Sequence, residues 1–197
     1  MEPFDRAGWS TVDYKFESLA KDYAFYTDEL DHDLKQEIDK RKIDTGTFLD
    51  IGTWNGRQAL HLSKIGFTVT GTDIHKGMLE HAKQNFCNTC PDFDSCPLPV
   101  TFLYDNILNT QLNTKFDYVL DRGCFHWVRD NIKTLYIENI TKTVGKLMFL
   151  KVLKSRSSIE EIEKLFSESF NIISVKDTQF ASGVDTLESL FVVLEPK

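Results

Sequence analysis

The residues best placed to do chemistry in this sequence are one glycine turn and the acids that close its apolar stretches. The run Asp50-Ile-Gly52-Thr-Trp54-Asn-Gly56 puts two glycines into a short turn. Glycine lets a backbone bend tightly and approach a ligand. Asp73 stands 17 positions after Gly56, and a carboxylate there can accept both hydroxyls of a ribose. Asp105-Asn106 offers side chains suited to an adenine amino group. Asp121 closes a fourth apolar stretch and leads into Cys124-Phe125-His126-Trp127. His126 is the candidate proton acceptor, because an imidazole titrates near neutrality; the competing reading is a histidine that hydrogen-bonds a loop backbone. Phe125 and Trp127 suit either an apolar wall beside a cation or ordinary packing. Cys124 is either a reactive thiol or a small buried hydrophobe.

The elements that must position these residues follow from hydropathy rhythm. Strands are expected at Thr47 to Ile51, Phe67 to Thr72, Val100 to Tyr104, Phe116 to Leu120 and Lys146 to Val152, with two more at Asn171 to Asp177 and Glu188 to Leu194. Helices are expected at Arg57 to Lys64, Lys76 to Phe86, Arg129 to Thr143 and Ser158 to Ser169. Alternating strands and helices imply right-handed crossovers and a parallel sheet. The last two strands have no helix between them and should pair antiparallel at one edge, joined by a Thr178 to Leu187 loop. The expected fold is α/β: a mostly parallel sheet of seven strands, with an antiparallel pair at one edge and helices on both faces. In such sheets ligands sit beyond the carboxyl ends of the strands, where the acids and the glycine turn fall.

Ahead of this domain, residues 11 to 43 contain neither Gly nor Pro. Phe16, Leu19, Tyr23, Tyr26, Leu30, Leu34 and Ile38 recur at helical spacing, which predicts one or two amphipathic helices. The cluster Asp28, Glu29, Asp31, Asp33 suits the start of the second. The division is therefore an N-terminal helical arm or lid over 1–45 and a domain over 46–197. Aromatics within residues 9 to 26 mark the candidate lid. Residues 87–99 form an excursion with three cysteines. Cys87, Cys90 and Cys96, with His81 upstream, could hold tetrahedral zinc, but the pattern is incomplete and free thiols in a loop are the favoured reading.

A net charge of -7 over 197 residues argues against nucleic acid or anionic membrane as a general partner. No apolar run nears the length of a membrane span, and the N-terminus lacks a secretory layout. A cytoplasmic protein with reduced thiols is expected, as a monomer or homodimer.

The motifs LDIGTWNG (Leu49 to Gly56), GTDI (Gly71 to Ile74), YDNI (Tyr104 to Ile107) and FDYVLDRGCFHWV (Phe116 to Val128) give the chain its resemblance. From about Thr47 to Pro196 it resembles a class I S-adenosylmethionine-dependent methyltransferase, which implies a Rossmann-like seven-stranded sheet of six parallel strands and one antiparallel strand, Glu188 to Leu194, in the edge hairpin. The last block is similar to small-molecule enzymes of the thiopurine and tellurite-resistance type. The resemblance implies S-adenosylmethionine as cofactor, with S-adenosylhomocysteine as product. It implies Asp50 near the cofactor amino group, Gly52 and Gly56 as the turn glycines, and Asp73 with Ile74 on the ribose. Asp105 would approach the adenine amino group, with Asn106 and Ile107 flanking the base; His75 and Met78 edge the same pocket. Asp121 would line the methionine moiety and the acceptor. With His126 it forms the candidate catalytic pair. Trp54 stands where the family often has glycine, and either obstructs the pocket or lines it. Trp54 and Arg57 also occupy positions where a dinucleotide fingerprint needs glycine, which disfavours an oxidoreductase.

The leading function is methyl transfer to a small-molecule acceptor by in-line displacement. The alternatives are a non-catalytic binding or regulatory module on the same fold and a protein methyltransferase.

Overall fold

The structure is a computed structural model, and it describes residues 29–89, 98–181 and 186–197. The expected lid over residues 9 to 26 lies outside the described residues.

Helix α1 (His32–Arg41) begins where the acidic cluster predicts. Asp31 is its N-cap, its carboxylate accepting from the Asp33 and Leu34 amides. Lys42 ends it in the left-handed region. Then follow β1 (Thr47–Ile51), α2 (Arg57–Lys64), β2 (Thr68–Asp73), α3 (Lys76–Thr89), β3 (Val100–Tyr104), β4 (Phe116–Arg122), α4 (Lys133–Thr143), β5 (Val144–Leu153), α5 (Ile159–Phe166), β6 (Phe170–Ala181) and β7 (Thr186–Pro196).

The seven strands lie in the order β3-β2-β1-β4-β5-β7-β6. Pairs from β3 through β5 are parallel, and β7 runs antiparallel to both β5 and β6. The reversed strand therefore lies one place in from the edge, inside the terminal hairpin. The order turns back between β1 and β4, where β1 carries Ile51 opposite Asp121.

Each sheet face has its own core. Leu34 and Ile38 of α1 pack with Phe48, Leu62, Phe149 and Phe191 on one face. Leu49, Val119, Phe125, Tyr136, Leu150 and Phe166 fill the other. Residues on β1, β4 and β5 are buried on both faces, as in a central parallel sheet.

The boundary differences have physical causes. The expected Thr178 to Leu187 loop is mostly strand, because pairing persists to Ala181 opposite Thr186. Thr178 is anchored to Asp33 at 2.6 Å, and Phe180 is fully buried. The first turn expected in the Arg129 to Thr143 helix is a separate 3-10 turn, Asp130–Ile132. The helix of Ser158 begins with that serine as cap, its hydroxyl accepting from the Glu161 amide.

Candidate active site

The turn after β1 takes its shape from three left-handed positions, Gly52 at φ 64, Trp54 at φ 51 and Gly56 at φ 73. A tryptophan there is strained, since a side chain with φ > 0 is uncommon. A hydrogen bond holds it: the Trp54 amide donates to Asp73 Oδ2 at 3.0 Å. The His75 amide donates to Asp73 Oδ1 at 2.8 Å. One carboxylate thus ties the ends of β1 and β2 together. Each of its oxygens has room for a further donor. Gly52 is solvent-exposed; a Cβ on it would lie 3.3 Å from the Cys124 Cβ. Gly56 is closed in: a Cβ there would stand 2.7 Å from the Phe102 ring and 2.8 Å from Ala82.

Asp50 is buried beneath this turn and accepts from the Thr53 hydroxyl at 2.6 Å. Burial pushes its pKa up to about 7 against the Thr53 bond and the Arg122 charge, and the neighbouring Asp121 and Asp73 push the same way. Burial also raises Asp73, against the His75 and Trp54 amides. Asp50, Asp73 and Asp121 therefore form one cluster of desolvated carboxylates at the ends of β1, β2 and β4.

Asp121 has no exposure at all. Its carboxylate accepts from the Gly123, Cys124 and Phe125 amides and from the Tyr136 hydroxyl, the last at 2.6 Å. Burial raises its pKa to about 6 in spite of those bonds. This carboxylate shapes the loop after β4. The expectation of a proton-handling Asp121 meets a group enclosed on every side by donors. His126 turns inward too. It is 4% exposed, its Nδ1 accepts from the Leu153 amide at 3.2 Å, and its ring stands edge-on to Phe180. Burial, with Arg156 and Lys133, lowers its pKa to about 4. The backbone-bonding alternative for this histidine describes its geometry.

The rest of the loop divides by exposure. Phe125 is core, packed against Tyr136 and Phe166. Trp127 is 46% exposed, with the Arg156 guanidinium 3.7 Å over its ring. Burial raises the Cys124 thiol well above its ordinary pKa, with Asp121 and Asp73 adding to the effect.

At the end of β3, the Asp105 amide donates to the Asp73 carbonyl at 3.2 Å, joining that end to the crevice. Its Oδ1 accepts from the Gln111 amide. Asn106 caps a 3-10 turn, Ile107–Asn109, through the Leu108 amide. Ile107, expected beside a base, has its side chain 5% exposed and packed in the core with Ile140, Leu108 and their neighbours. An aliphatic side chain gains more by that burial than at a sheet edge. Ile74 and His75 are half-buried beyond β2, and Met78 is buried in α3.

A second group of residues carries no motif. Asp31 and Asp33 of the α1 terminus are 4% and 3% exposed. Asp31 pairs with Arg122 at 2.8 Å and Lys151 at 2.9 Å. Asp33 pairs with Lys151 and Lys176, each at 2.8 Å. Gln58 of α2 accepts from the Asp31 amide and donates to the Glu29 carbonyl. These bonds seat α1 across the ends of β4, β5 and β6, beside the glycine turn. A cavity of about 650 Å³ opens there, lined by Glu29, Leu30, Arg122, Lys154, Asp177 and Glu188 among others. The available signal was Lys151, a lysine inside the apolar run Phe149 to Leu153.

Of the zinc candidates, Cys90 and Cys96 lie outside the described residues, and Cys87 is exposed. Among the described residues there is no group of three or more His, Cys, Asp or Glu side chains arranged to hold a metal ion. None of the described helices is long and apolar enough to cross a membrane.

Strand order, reversed β7 and acid-lined crevice define a Rossmann-like domain of the methyltransferase type. Residues 48–145 match the family described as a methyltransferase domain, so that stretch is a methyltransferase domain. No curated protein matches the chain in sequence. Among solved structures, the chain is similar to a TehB-like SAM-dependent methyltransferase from Corynebacterium glutamicum, with TM-score 0.65, 20% identity and coverage of 82% of this chain and 86% of that one. It is similar to the 1,6-didemethyltoxoflavin-N1-methyltransferase of Burkholderia thailandensis, solved with its namesake substrate and S-adenosylhomocysteine, at TM-score 0.66, 14% identity and 84% and 77% coverage. A magnesium protoporphyrin IX methyltransferase from Synechocystis, solved with SAM, gives TM-score 0.66, 17% identity and 81% and 75% coverage. At these identities the likeness is one of fold.

Proposed function

We propose that the protein transfers a methyl group from S-adenosylmethionine to a small-molecule acceptor by in-line displacement. The observation that carries this reading is the tie between the Gly52–Gly56 turn and Asp73 through the Trp54 amide. That tie leaves an exposed glycine backbone beside a half-buried carboxylate. The turn and Asp73 hold the nucleoside end of the cofactor, with Asp73 and Ile74 on the ribose and Asp105 and Asn106 near the base. Asp50 faces the amino group. Trp54 lines the pocket, its amide held by Asp73. The carboxylate cluster supports a positively charged ligand: Asp50 and Asp73 are raised by burial and by like-charged neighbours, and a cation relieves both.

When bound, the cofactor supplies a methyl group already activated on a positive sulfur. The chain's own residues then position and desolvate. Asp121 acts as a positioning residue that fixes the 123–125 loop over the site. His126, buried and neutral, fixes the same loop to the end of β5. With both engaged in structure, the fitting acceptor carries its own lone pair and needs no proton removed during attack. Helix α1 covers the acceptor side, seated by Asp31 and Asp33.

The test is thermal denaturation with S-adenosylhomocysteine and, separately, NADH. At a ligand concentration about 100-fold above Kd, the former should raise Tm by roughly 5–10 °C, and NADH should leave it unchanged. A rise with NADH alone would place the chain among oxidoreductases.

A further inference from the structure

We infer that Gln58 is a positioning residue: its side-chain amide couples occupation of the Gly52–Gly56 turn to the seating of α1 beside the neighbouring cavity. The inference rests on the methyl-transfer reading, in which the ligand at that turn is the cofactor.

The side chain itself comes first. Gln58 is the second residue of α2 and is 8% exposed. Its Oε1 accepts from the Asp31 amide at 2.8 Å, and its Nε2 donates to the Glu29 carbonyl at 3.0 Å. Both ends of one planar amide are used on main-chain groups 27 and 29 positions away. Such a side chain fixes where a segment lies, whatever side chains the segment carries. Glutamate would keep the acceptor and lose the donor, and leucine would fill similar space with neither.

On one side Gln58 belongs to the glycine turn. Gly56 is the N-cap of α2, and its carbonyl accepts from the Leu60 amide at 2.9 Å. Phe102 and Ala82 crowd Gly56 so closely that a Cβ has no room there. The Asn85 side chain donates to the Asn55 carbonyl at 2.9 Å, and the Trp54 amide donates to Asp73. The turn and the first residues of α2 are thus one stiff piece. A ligand on Asp73 and the turn backbone stiffens it further.

On the other side, residues 29–31 govern α1. Asp31 caps the helix, its carbonyl accepts from the Lys35 amide at 2.9 Å, and its carboxylate pairs with Arg122 and Lys151. The main chain of this residue is held by α2 and its side chain by β4 and β5. Glu29, Leu30 and Asp31 also line the cavity. Gln58 therefore joins the cofactor turn to the helix beside that cavity. A ligand that orders the first lowers the cost of ordering the second.

The experiment is hydrogen exchange of the full chain with and without saturating S-adenosylhomocysteine, read at the Lys35 to Arg41 amides of α1. Helix α5 is the control, since Ile162 and Phe166 pack in the core of the opposite sheet face. In the wild type the ligand should slow α1 exchange by about tenfold, an ordinary size for coupling between two sites, and leave α5 within about twofold. In Gln58→Leu the slowing of α1 should fall below about twofold, while calorimetry still finds saturable ligand binding. Lys176→Met removes an ion pair of Asp33 and leaves Gln58 intact. It should speed α1 exchange in both conditions and keep the ligand-dependent slowing. A Gln58 that only stabilised the fold would behave as Lys176 does. Gln58→Glu should also reduce the slowing, and it serves if Gln58→Leu fails to fold. Unchanged α1 exchange in a wild type that binds S-adenosylhomocysteine, or full slowing in either folded Gln58 variant, would overturn the role of Gln58 and leave the methyl-transfer reading standing. A wild type that binds no S-adenosylhomocysteine would overturn both.

Discussion

Replacing Lys151 by alanine should destabilise the fold by about 3–5 kcal/mol, the cost of leaving buried charge without its partner. Lys151 is the shared cation of Asp31 and Asp33, and all three side chains are 3% exposed. Removing it leaves two carboxylates facing each other in a desolvated space, with Arg122 and Lys176 as their remaining cations. Chemical denaturation should show a lower midpoint, and α1 should be the first element to lose hydrogen-exchange protection. The control is Lys35→Ala. Lys35 makes an equally short pair with Asp39, but both side chains are more than half exposed. Its loss should move stability by less than about 1 kcal/mol. Equal effects of the two substitutions would show that the buried network contributes nothing special.

The same network sets an acid limit. Burial alone raises the Asp33 pKa, but hydrogen bonds from Lys151, Lys176 and Thr178 outweigh it and hold the group at about 2, below its ordinary 3.8. Asp31 is lowered by Lys151 and Arg122, again against burial. A carboxylate with a depressed folded-state pKa stabilises fully above its unfolded value. That contribution is lost as pH falls from about 4 toward 2. Asp50, raised to about 7, has the opposite sign: its contribution is greatest below its unfolded value of 3.8, is lost as pH rises from there to about 7, and changes no further above that. Stability measured against pH should therefore fall steeply below pH 4, and the acid loss should shrink in Asp33→Asn.

The second large effect is expected at Gly56. An alanine there meets two penalties at once. Its φ of 73° lies in the left-handed region, which costs a residue with a side chain about 1–2 kcal/mol. Its Cβ would also overlap the Phe102 ring at 2.7 Å and Ala82 at 2.8 Å, and overpacking costs about 1–3 kcal/mol. The sum is about 2–5 kcal/mol. Relief requires a shift of the 52–56 turn, which moves the Trp54 amide off Asp73. Gly56→Ala should consequently lose ligand affinity beyond what its lower stability explains, as seen by titrating at a temperature where the variant is still folded. Gly66→Ala is the comparison: Gly66 also has positive φ, but a Cβ on it would approach no atom closer than 3.5 Å. It should cost only the backbone penalty and leave binding intact.

These effects divide by how visible their causes are in a sequence. The parallel sheet and the crevice follow from alternation of elements, and the glycine turn and Asp73 follow from local motifs. All are short-range patterns that a chain must show to fold this way. The roles inside the loop after β4 are another matter. Asp121 and His126 have the residue types of acid–base chemistry, and their burial and hydrogen-bond partners do not show in the local sequence. Tyr136, which donates to Asp121 from 15 positions away, shows no local pattern. Ile107 follows a similar rule: its type fits a base-flanking position, but the core under α4 offered it more contact. The α1 network is the extreme case. Asp31 and Asp33 read as helix-start acids, and Asp31 does cap α1, but their partners lie 91 to 145 positions away along the chain. The length of the β6–β7 hairpin was hidden for the same reason, since Thr178 belongs to that network.

The central claim is that the crevice at the ends of β1, β2 and β4 is built for S-adenosylmethionine. The most direct measurement is calorimetric titration of dialysed protein with S-adenosylhomocysteine, alongside Asp73→Ala. The account predicts saturable binding near one per chain, weakened by about 100-fold or more in the variant, as expected when a carboxylate with two ligand hydrogen bonds is removed. A folded wild-type protein that takes up no S-adenosylhomocysteine, or a variant that binds it as tightly as wild type, would contradict the account.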